Sequence, residues 1–523
     1  MTYASPAPAA VQPKANSRQW TALVLLMLPV LLISVDNTVL SFALPAISRE
    51  LRPSSMTLLW IVDVYPLVLA GLLVAMGTLG DRVGRRRLLL IGATGFALIS
   101  AAAAFAPTAE LLVLARGMMG LFGAALMPST LSLLRSIFLD QRQRTLAIAV
   151  WAGAFAAGSS LGPIVGGILL QHFHWGSVFL IAVPILIPLL AFGPWLIPES
   201  RDPQPRRVDY PSIALSLLTL APFVFAIKTL VHDGLSVAGV IALLVGIVCA
   251  VVFVRRQRRI PNPFLDLDLF DNGPFAGSVL ANFLSVFSLV GFLFFISQHL
   301  QLVLGLDPLT AGLLLVPGAI VGIGAGLLAA VLVRRVARRQ VIIIGLLTTT
   351  AGFLMIILLR HDLNALTVAI AFAVLSIGIA TAETISNDTI LGSVPPEKAG
   401  AASGISETAY ELGAVLGTAV LGAILSAFYR TNVVVPLIPA SADAAVTAAR
   451  ETLGGAIALS ERLPSDRAIA LIDSARAAFD SGVGATSAIA VVLLLVAVVV
   501  IHRSMRPRPD LASGSISRHE ARR

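Results

Sequence analysis

The stretch GTLGDRVGRRRLL, Gly77–Leu89, places four arginines, three glycines and one aspartate between two long apolar runs. A short cytoplasmic loop of a membrane protein needs arginines for topology, but topology requires neither the glycines nor Asp81. Glycines permit tight turns and close helix approach, and an aspartate at a helix end can pair with arginines or with a neighbouring helix N-terminus. The stretch therefore predicts an ionic latch that holds two helix bundles together in one state and releases them in another. Its residues are Gly77, Gly80, Asp81, Arg82, Gly84, Arg85 and Arg86.

The whole chain has the composition of a protein that crosses a membrane many times. It has 523 residues, of which 57% are hydrophobic and 12% charged, and its mean hydropathy is +0.91. A soluble protein cannot bury so much apolar surface, whereas a polytopic membrane protein exposes it to lipid. The net charge of +9 comes from short basic clusters beside apolar segments, which favours a membrane over nucleic acid as the partner. The single cysteine, Cys249, and scattered histidines predict neither a disulfide framework nor a metal site.

Fourteen apolar stretches are long enough to span a bilayer as helices. They lie at 21–47, 57–79, 88–106, 109–135, 144–171, 175–197, 211–231, 235–254, 275–303, 310–333, 340–359, 364–392, 400–428 and 485–502. With the N-terminus placed inside, most of the arginines and all lysines outside the spans, Lys14 and Lys398, fall on the cytoplasmic side. The positive-inside rule therefore predicts that both termini are cytoplasmic. We call the helix ends on this side the inner ends and the opposite ends the outer ends.

The spans predict an all-α polytopic fold in which two six-helix halves flank two further helices. The predicted order is a tail (1–20), the first half (21–197), two linking helices (198–256), the second half (257–502) and a basic tail (503–523). An external loop, 429–484, contains a segment with helical periodicity, Ala440–Phe479, which is compatible with a helical hairpin or a loosely ordered loop. LGDRVGRR, Leu79–Arg86, is echoed by LVRRVARR, Leu332–Arg339, as expected of parallel repeats in a transporter.

Several stretches resemble motifs of the major facilitator superfamily. Gly77–Leu89 is similar to the loop between the second and third helices of that family, and DNTVLSFALP, Asp36–Pro45, to the first-helix motif of its drug:proton antiporters. LVLARGMMGLFGAA, Leu112–Ala125, resembles the fourth-helix motif, with Met119 where a glutamine is usual. GSSLGPIVGG, Gly158–Gly167, resembles the fifth-helix motif that marks exporters. Close helix packing and a bend are expected from this last motif, whose residues are Gly158, Gly162, Pro163, Gly166 and Gly167.

The number of spans resembles the second drug:proton antiporter family, which has fourteen helices. LLWIVDVYPLVLAG, Leu58–Gly71, resembles the branch of that family that exports quaternary ammonium compounds and methyl viologen, and Asp63 is the residue that points to it. The resemblance covers nearly the whole chain except the outer loop and the termini. It implies the major facilitator fold, with two six-helix bundles and two inserted helices.

Charged residues inside the spans are costly and therefore indicate function. Asp36 and Arg116 lie at depths that allow them to meet, and we expect this pair to couple transport to protons; a permanent pair that fixes helix packing is the alternative. Asp63 lies at a similar depth, so Asp36 and Asp63 are expected to face one vestibule and to hold dications together, unless Asp63 pairs structurally. The candidates for cation binding are Asp36, Asp63, Glu383, Glu407, Glu411 and the aromatic residues Trp60, Tyr65 and Tyr410.

We therefore expect proton-coupled export of lipophilic mono- and divalent cations across the inner or plasma membrane. Protons that neutralise cavity acids would weaken the hold on a cationic substrate. No cofactor is expected besides the proton gradient, and the partners are small cations, protons and the bilayer around a monomer. Export of an endogenous metabolite or an antibiotic stays open. An ATP-driven pump is excluded because the chain lacks a nucleotide-binding loop. A membrane enzyme and a channel are disfavoured because it lacks a nucleophile–base set and a selectivity filter.

Overall fold

The computed structural model describes residues 15–201, 209–260, 263, 265–394, 399–436 and 443–505, and within these residues all regular structure is helical. Most of the predicted N-terminal tail, residues 1–14, and most of the C-terminal tail, residues 506–523, lie outside the described residues. The all-α expectation is confirmed.

The first half consists of eight helical segments, which correspond to the six predicted spans. They are α1 (Ser17–Leu51), α2 (Ser55–Val83), α3 (Arg85–Ala103), α4 (Ala109–Gly123), α5 (Leu126–Ile137), α6 (Gln141–His172), α7 (Ser177–Leu180) and α8 (Ala182–Leu196). Helices α4 and α5 together form one membrane-length span, as do α7 and α8. Polar side chains cap several of these helices: Ser54 accepts a hydrogen bond from the Thr57 amide, and Asp140 accepts one from the Gln143 amide.

The inserted pair and the second half follow in the predicted order. They are α9 (Tyr210–Asp233), α10 (Val237–Gln257), α11 (Gly273–Gln298), α12 (Pro308–Leu332), α13 (Arg338–Leu358), α14 (Ala365–Gly392), α15 (Ala399–Leu416), α16 (Ala423–Asn432), α17 (Asp443–Glu451), α18 (Leu453–Ser460) and α19 (Ser465–Ser504). A π-helical segment, Gly417–Gly422, joins α15 to α16, and a second one, His299–Val303, extends α11. The two halves of the weak sequence repeat lie at equivalent places, between α2 and α3 and between α12 and α13.

The described residues contain 13 helical spans long and apolar enough to cross a membrane. Helix α6, which is 32 residues long and carries the apolar stretches Leu146–Phe155 and Leu161–His172, would bring the number to the predicted fourteen. The described part of the external segment is largely helical: α17 and α18 are followed by α19, which begins 20 residues before the span expected at 485–502 and continues through it. A single 40-residue helix thus replaces the short last span.

The halves meet along three helix pairs, and α9 packs on both halves. Helix α1 contacts α11, α2 contacts α15, and α6 contacts α12. Helix α9 packs against α2 of the first half and α16 of the second, while α10 packs on α9 and is the least buried of the spans. The inserted pair is therefore seated across the boundary between the halves.

The outer ends of the two halves are closed against each other. The Gln301 side chain donates a hydrogen bond to the Phe42 carbonyl at 3.1 Å, and the Ser55 hydroxyl donates one to the Glu451 carboxylate at 2.6 Å. Helices α6 and α12 also touch through backbone: a Cβ on Gly167 would lie 2.6 Å from the Leu309 Cα, and a Cβ on Gly312 would overlap the Pro163 carbonyl. Only glycine permits this approach, so both glycines belong to the closed outer end.

Gly312→Ala is expected to hold the outer ends apart, because its methyl group cannot share the space of the Pro163 carbonyl. The Ser48 and Thr452 hydroxyls lie 3.3 Å apart across the same closure, so cysteines at these two positions report it by disulfide cross-linking in membranes. The yield should fall by more than half in the Gly312→Ala background. Gly324→Ala is the matched control on the same helix, since a Cβ there meets no atom within 4 Å. Equal yields in the two backgrounds would contradict this role.

Candidate functional site

A buried ion pair joins α1 to α4. The Arg116 guanidinium donates a hydrogen bond to the Asp36 carboxylate at 2.6 Å, and the two side chains are 2% and 5% exposed. Arg116 also donates to the Ile61 carbonyl of α2 at 3.3 Å and lies over the Tyr65 ring, 4.4 Å from its centroid. Each of these contacts offsets the cost of removing the guanidinium from water. The contact expected between Asp36 and Arg116 is present.

A cavity of about 610 Å³ lies between the halves, within the size range of pockets for drug-sized ligands. Its wall is formed by α1, α5 and α6 of the first half and by α11, α12, α14 and α15 of the second. Most of the wall is apolar, and the α12 side extends from Leu315 to Ala330, close to the inner end of that helix. With the outer ends closed, the cavity therefore belongs to a conformation that faces the inner side.

Two carboxylates and several aromatic rings are the features of this cavity that suit a cation. Glu383 of α14 and Glu407 of α15 both line it and interact electrostatically with each other. Tyr410 lines it one turn further along α15, edge-to-face with Phe155 of α6 at 5.5 Å between ring centroids, and Trp151 is also in the wall. An organic cation in this space would meet aromatic faces and negative charge together.

Amides and a hydroxyl connect three helices beside the two carboxylates. The Asn282 amide donates to the Ser406 hydroxyl at 3.0 Å, and that hydroxyl donates to the Asn387 carbonyl oxygen at 2.9 Å. Glu383 and Asn387, four residues apart on α14, both line the cavity. The network fixes α11, α14 and α15 around the carboxylates.

Glu411 and Tyr65 are buried side chains that do not line the cavity. Glu411 follows Glu407 by one helical turn, is 3% exposed, and one of its carboxylate oxygens has no hydrogen-bond partner among the described residues. Tyr65 is fully buried, and it interacts electrostatically with Glu411 as well as with Asp36 and Arg116. Buried polar groups without partners are uncommon and mark functional places.

The expectation that Asp36 and Asp63 face one vestibule is wrong for this conformation. Asp63 is fully buried and pairs with Lys228 of α9, with 2.8 Å between a carboxylate oxygen and Nζ. Trp60 also does not line the cavity, because its ring lies against the Lys228 ammonium at 3.9 Å. Lys228 was missed by sequence reasoning, although a lysine within a span is as costly as an aspartate and needs a partner of opposite charge.

The loop with the latch residues makes its described contacts within the first half. Asp81 pairs with Arg85 at 2.7 Å, and Arg86 donates to the carbonyls of Pro194 and Ile197 at the end of α8. Glu199, also missed from the sequence, accepts hydrogen bonds from the backbone amides of Arg86 and Arg87 at the α3 N-terminus, where a negative charge is favoured.

Gly84 explains why the latch loop needs glycine. Its φ is +115°, a region that L-residues rarely adopt, and a Cβ would lie 2.8 Å from the Glu199 carboxylate. A Cβ on Gly77 would lie 3.7 Å from Pro128 of α5, and one on Gly80 would lie 3.3 Å from Leu88 of α3 and 3.9 Å from Ser129 of α5. Arg82 is exposed. The described contacts therefore tie the loop to α5 and α8. They do not reach the second half, as expected if the latch is released in this state.

The glycines of α6 seat this helix on α1. A Cβ on Gly158 would lie 2.8 Å from the Leu31 carbonyl, one on Gly162 would overlap the Thr38 hydroxyl, and one on Gly166 would lie 2.8 Å from Val39. Close packing through one glycine face is therefore confirmed. Pro163 lines the cavity from the same helix, and Gly167 contacts α12.

Two six-helix halves around a central cavity, closed on one side and with buried charges beside it, define a membrane transporter rather than an enzyme. The chain belongs to the major facilitator superfamily, whose family model matches residues 26–418. It is 59% identical over 495 residues to the multidrug efflux pump LfrA of Mycolicibacterium smegmatis, covering 94% of this chain and 97% of that protein. It is 34% identical over 482 residues to the methyl viologen resistance protein SmvA of Salmonella typhimurium, covering 91% and 97%.

The fold is also that of a solved transporter. A bacterial homologue of the human lysosomal transporter Spinster, in an inward-facing and occupied conformation, superposes with a TM-score of 0.64 at 17% identity, covering 95% of this chain and 100% of that one. The likeness supports the fold alone. The chain is thus a multi-pass membrane transporter of this superfamily.

Asp81→Asn is expected to slow transport while substrate binding stays nearly intact, because Asp81 lies outside the cavity and the substitution removes its ion pair with Arg85. Binding and efflux should be measured on the same purified variant. Asp140→Asn is the matched control at the inner side, since asparagine preserves the cap of α6. Equal losses of binding and efflux in Asp81→Asn would overturn the latch role.

Proposed function

We propose that the protein is a proton-coupled multidrug efflux transporter that exports lipophilic mono- and divalent cations by exchange for protons. The observation that carries this proposal is the pair of carboxylates, Glu383 and Glu407, in an otherwise apolar and aromatic cavity between the two halves. It works in the plasma membrane with both termini cytoplasmic, as a monomer. The names of LfrA and SmvA, a multidrug efflux pump and a methyl viologen resistance protein, support this assignment.

The cavity favours cations because its carboxylates are removed from bulk water. A carboxylate in an apolar wall attracts a cation more strongly than it would in solvent, and the rings of Tyr410 and Trp151 add face contacts to a flat cation. The apolar part of a lipophilic cation can pack against the apolar residues of the wall. Protonation of Glu383 and Glu407 removes the attraction, so protons and cations compete for the same groups, and this competition is the coupling.

The Asp36–Arg116 pair is the proposed second proton site. In this conformation the Arg116 guanidinium neutralises the Asp36 carboxylate, and in the proposed cycle a proton takes the place of Arg116 when α1 and α4 separate. Tyr65 interacts electrostatically with this pair and with Glu411, and Glu411 interacts with the cavity carboxylate of Glu407. Through these neighbouring ionisable groups, a change in the charge of the ion pair affects cation binding in the cavity, and cation binding affects the ion pair.

Dications are held by the two cavity carboxylates rather than by Asp63. A dication needs two counter-charges in a low-dielectric site, and Glu383 and Glu407 supply them on one wall. The charge of Asp63 is already balanced by Lys228. This placement replaces the sequence expectation for Asp63.

Asp36→Asn is expected to stop gradient-driven efflux of ethidium while downhill exchange of ethidium persists, because the proton site is lost and the cavity is kept. Everted vesicles with and without a proton uncoupler distinguish the two modes, and signals are normalised to inserted protein, since an unpaired buried Arg116 costs about 3–5 kcal/mol. Asp388→Asn is the control: Asp388 pairs with Arg338 at 2.8 Å but is 56% exposed. Proton-driven efflux by Asp36→Asn would contradict the assignment.

Glu383→Gln and Glu407→Gln are each expected to lower resistance to the dication methyl viologen more than resistance to the monocation ethidium. One remaining carboxylate still matches a single charge but leaves a dication half-compensated. Minimum inhibitory concentrations normalised to membrane-inserted protein measure the effect. Glu110→Gln, at an exposed acid in the first turn of α4, is the control. Parallel losses for both cations would exclude the dication role.

A further inference from the structure

The Lys228 ammonium sits in a site that has the parts of a cation-binding site. Asp63 Oδ2 lies 2.8 Å from Nζ, the Trp60 ring centroid lies 3.9 Å from Nζ, and both charged side chains are completely buried. A carboxylate combined with an aromatic face is the combination that proteins use for quaternary ammonium ligands. Lys228 is the only lysine within a predicted span, so this site is occupied by a cation of the chain itself.

This site lies where three parts of the transporter meet. Trp60 and Asp63 belong to α2 of the first half, Lys228 belongs to the inserted helix α9, and Thr418 of the π-helical segment Gly417–Gly422 in the second half lies against the Asp63 carboxylate. π-Helical turns are frequent at functional places. A change in the relative position of the halves must therefore change the surroundings of the pair.

A narrow gap connects Lys228 with the outer end of the boundary between the halves. It is lined by Ser55, Met56 and Leu59 of α2 and by residues 423, 426 and 427 of α16. In this conformation the gap holds only about 10 Å³, because a Leu59 methyl group fills the space beside Gly422 and Ser55 is bonded to Glu451. Separation of the outer ends would widen this gap and expose Lys228 to the outer side.

We propose that Lys228 is a tethered competitor for an outer cation site formed by Asp63 and Trp60, and that the site exchanges Lys228 for the charged group of a quaternary cation when the outer ends separate. A primary ammonium is strongly hydrated, so it gains from moving into water. A quaternary cation is poorly hydrated and gains from the aromatic face and the carboxylate. When the outer ends close and water leaves, Lys228 returns and releases the cation to the outside.

This inference rests on the proposed export of organic cations and adds a release site to it. A permanent structural pair would also be buried, but it would keep Lys228 covered in every state. Accessibility of Lys228 is therefore the deciding property, and it can be measured on the unmodified chain. The chain has only three lysines, and Lys14 and Lys398 are both predicted to be cytoplasmic, so they report leakage in the same sample.

The experiment applies a membrane-impermeant amine-reactive reagent to right-side-out vesicles and quantifies acylated lysines by mass spectrometry. Tetraphenylphosphonium is the probe cation, and sodium chloride at equal concentration is the control. We expect the cation to raise acylation of Lys228 severalfold while Lys14 and Lys398 stay unmodified. Acylation of Lys228 that is absent, or equal with both salts, would overturn the proposal.

Two variants show whether the aromatic face matters. Trp60→Leu should abolish the increase caused by tetraphenylphosphonium, whereas Trp195→Leu, at a tryptophan of α8 that is 70% exposed, should leave it unchanged. An unchanged increase in Trp60→Leu would contradict the site. Efflux of tetraphenylphosphonium from the same vesicles distinguishes the proposed function from the outer site. If the unmodified protein shows no proton-driven efflux, the proposed function fails. If efflux occurs but acylation of Lys228 does not depend on the cation, the outer site alone is excluded.

Discussion

The free-energy cost of burying charged side chains away from water determines where the charged residues of this transporter lie and what they contact. A charge inside the bilayer region is tolerated only beside an opposite charge, a polar network or a water-filled space. The first solution occurs twice, where Arg116 lies beside Asp36 and Lys228 lies beside Asp63. Glu383 and Glu407 instead line the cavity between the halves. Because the partners lie on different helices, any movement of those helices changes the cost. Conformation and charge state are thereby linked.

The two paired sites and the cavity occupy different parts of one boundary. The Asp36–Arg116 pair ties helices within the first half, the cavity carboxylates belong to the second half, and the Asp63–Lys228 pair sits where both halves touch the inserted helix α9. If the inserted helices α9 and α10 served only for packing, a fully buried lysine on α9 would be an unnecessary cost. In the proposed account α9 therefore takes part in the transport cycle, while α10 mainly covers it from the lipid side.

Much of the fold could be predicted from the sequence, because span length and arginine placement are direct consequences of the bilayer. The contact of Asp36 with Arg116 followed from matching depths. Lys228 could not be assigned to Asp63, since depth does not reveal which side of α2 the inserted helix covers. The separation of Glu407 from Glu411 was also hidden: α15 approaches the α11 backbone closely at Gly413 and Gly417, so the helix passes from the cavity wall into a packed interface within about one turn.

The central claim is that organic cations and protons compete for the cavity carboxylates. It is tested most directly by adding tetraphenylphosphonium to the purified transporter in weakly buffered solution and recording the pH with an indicator dye. The account predicts that cation binding releases protons, and that the release disappears when Glu383 and Glu407 are both replaced by glutamine. Saturable binding of the cation to the unmodified protein without any proton release, over the pH range in which transport occurs, would contradict it.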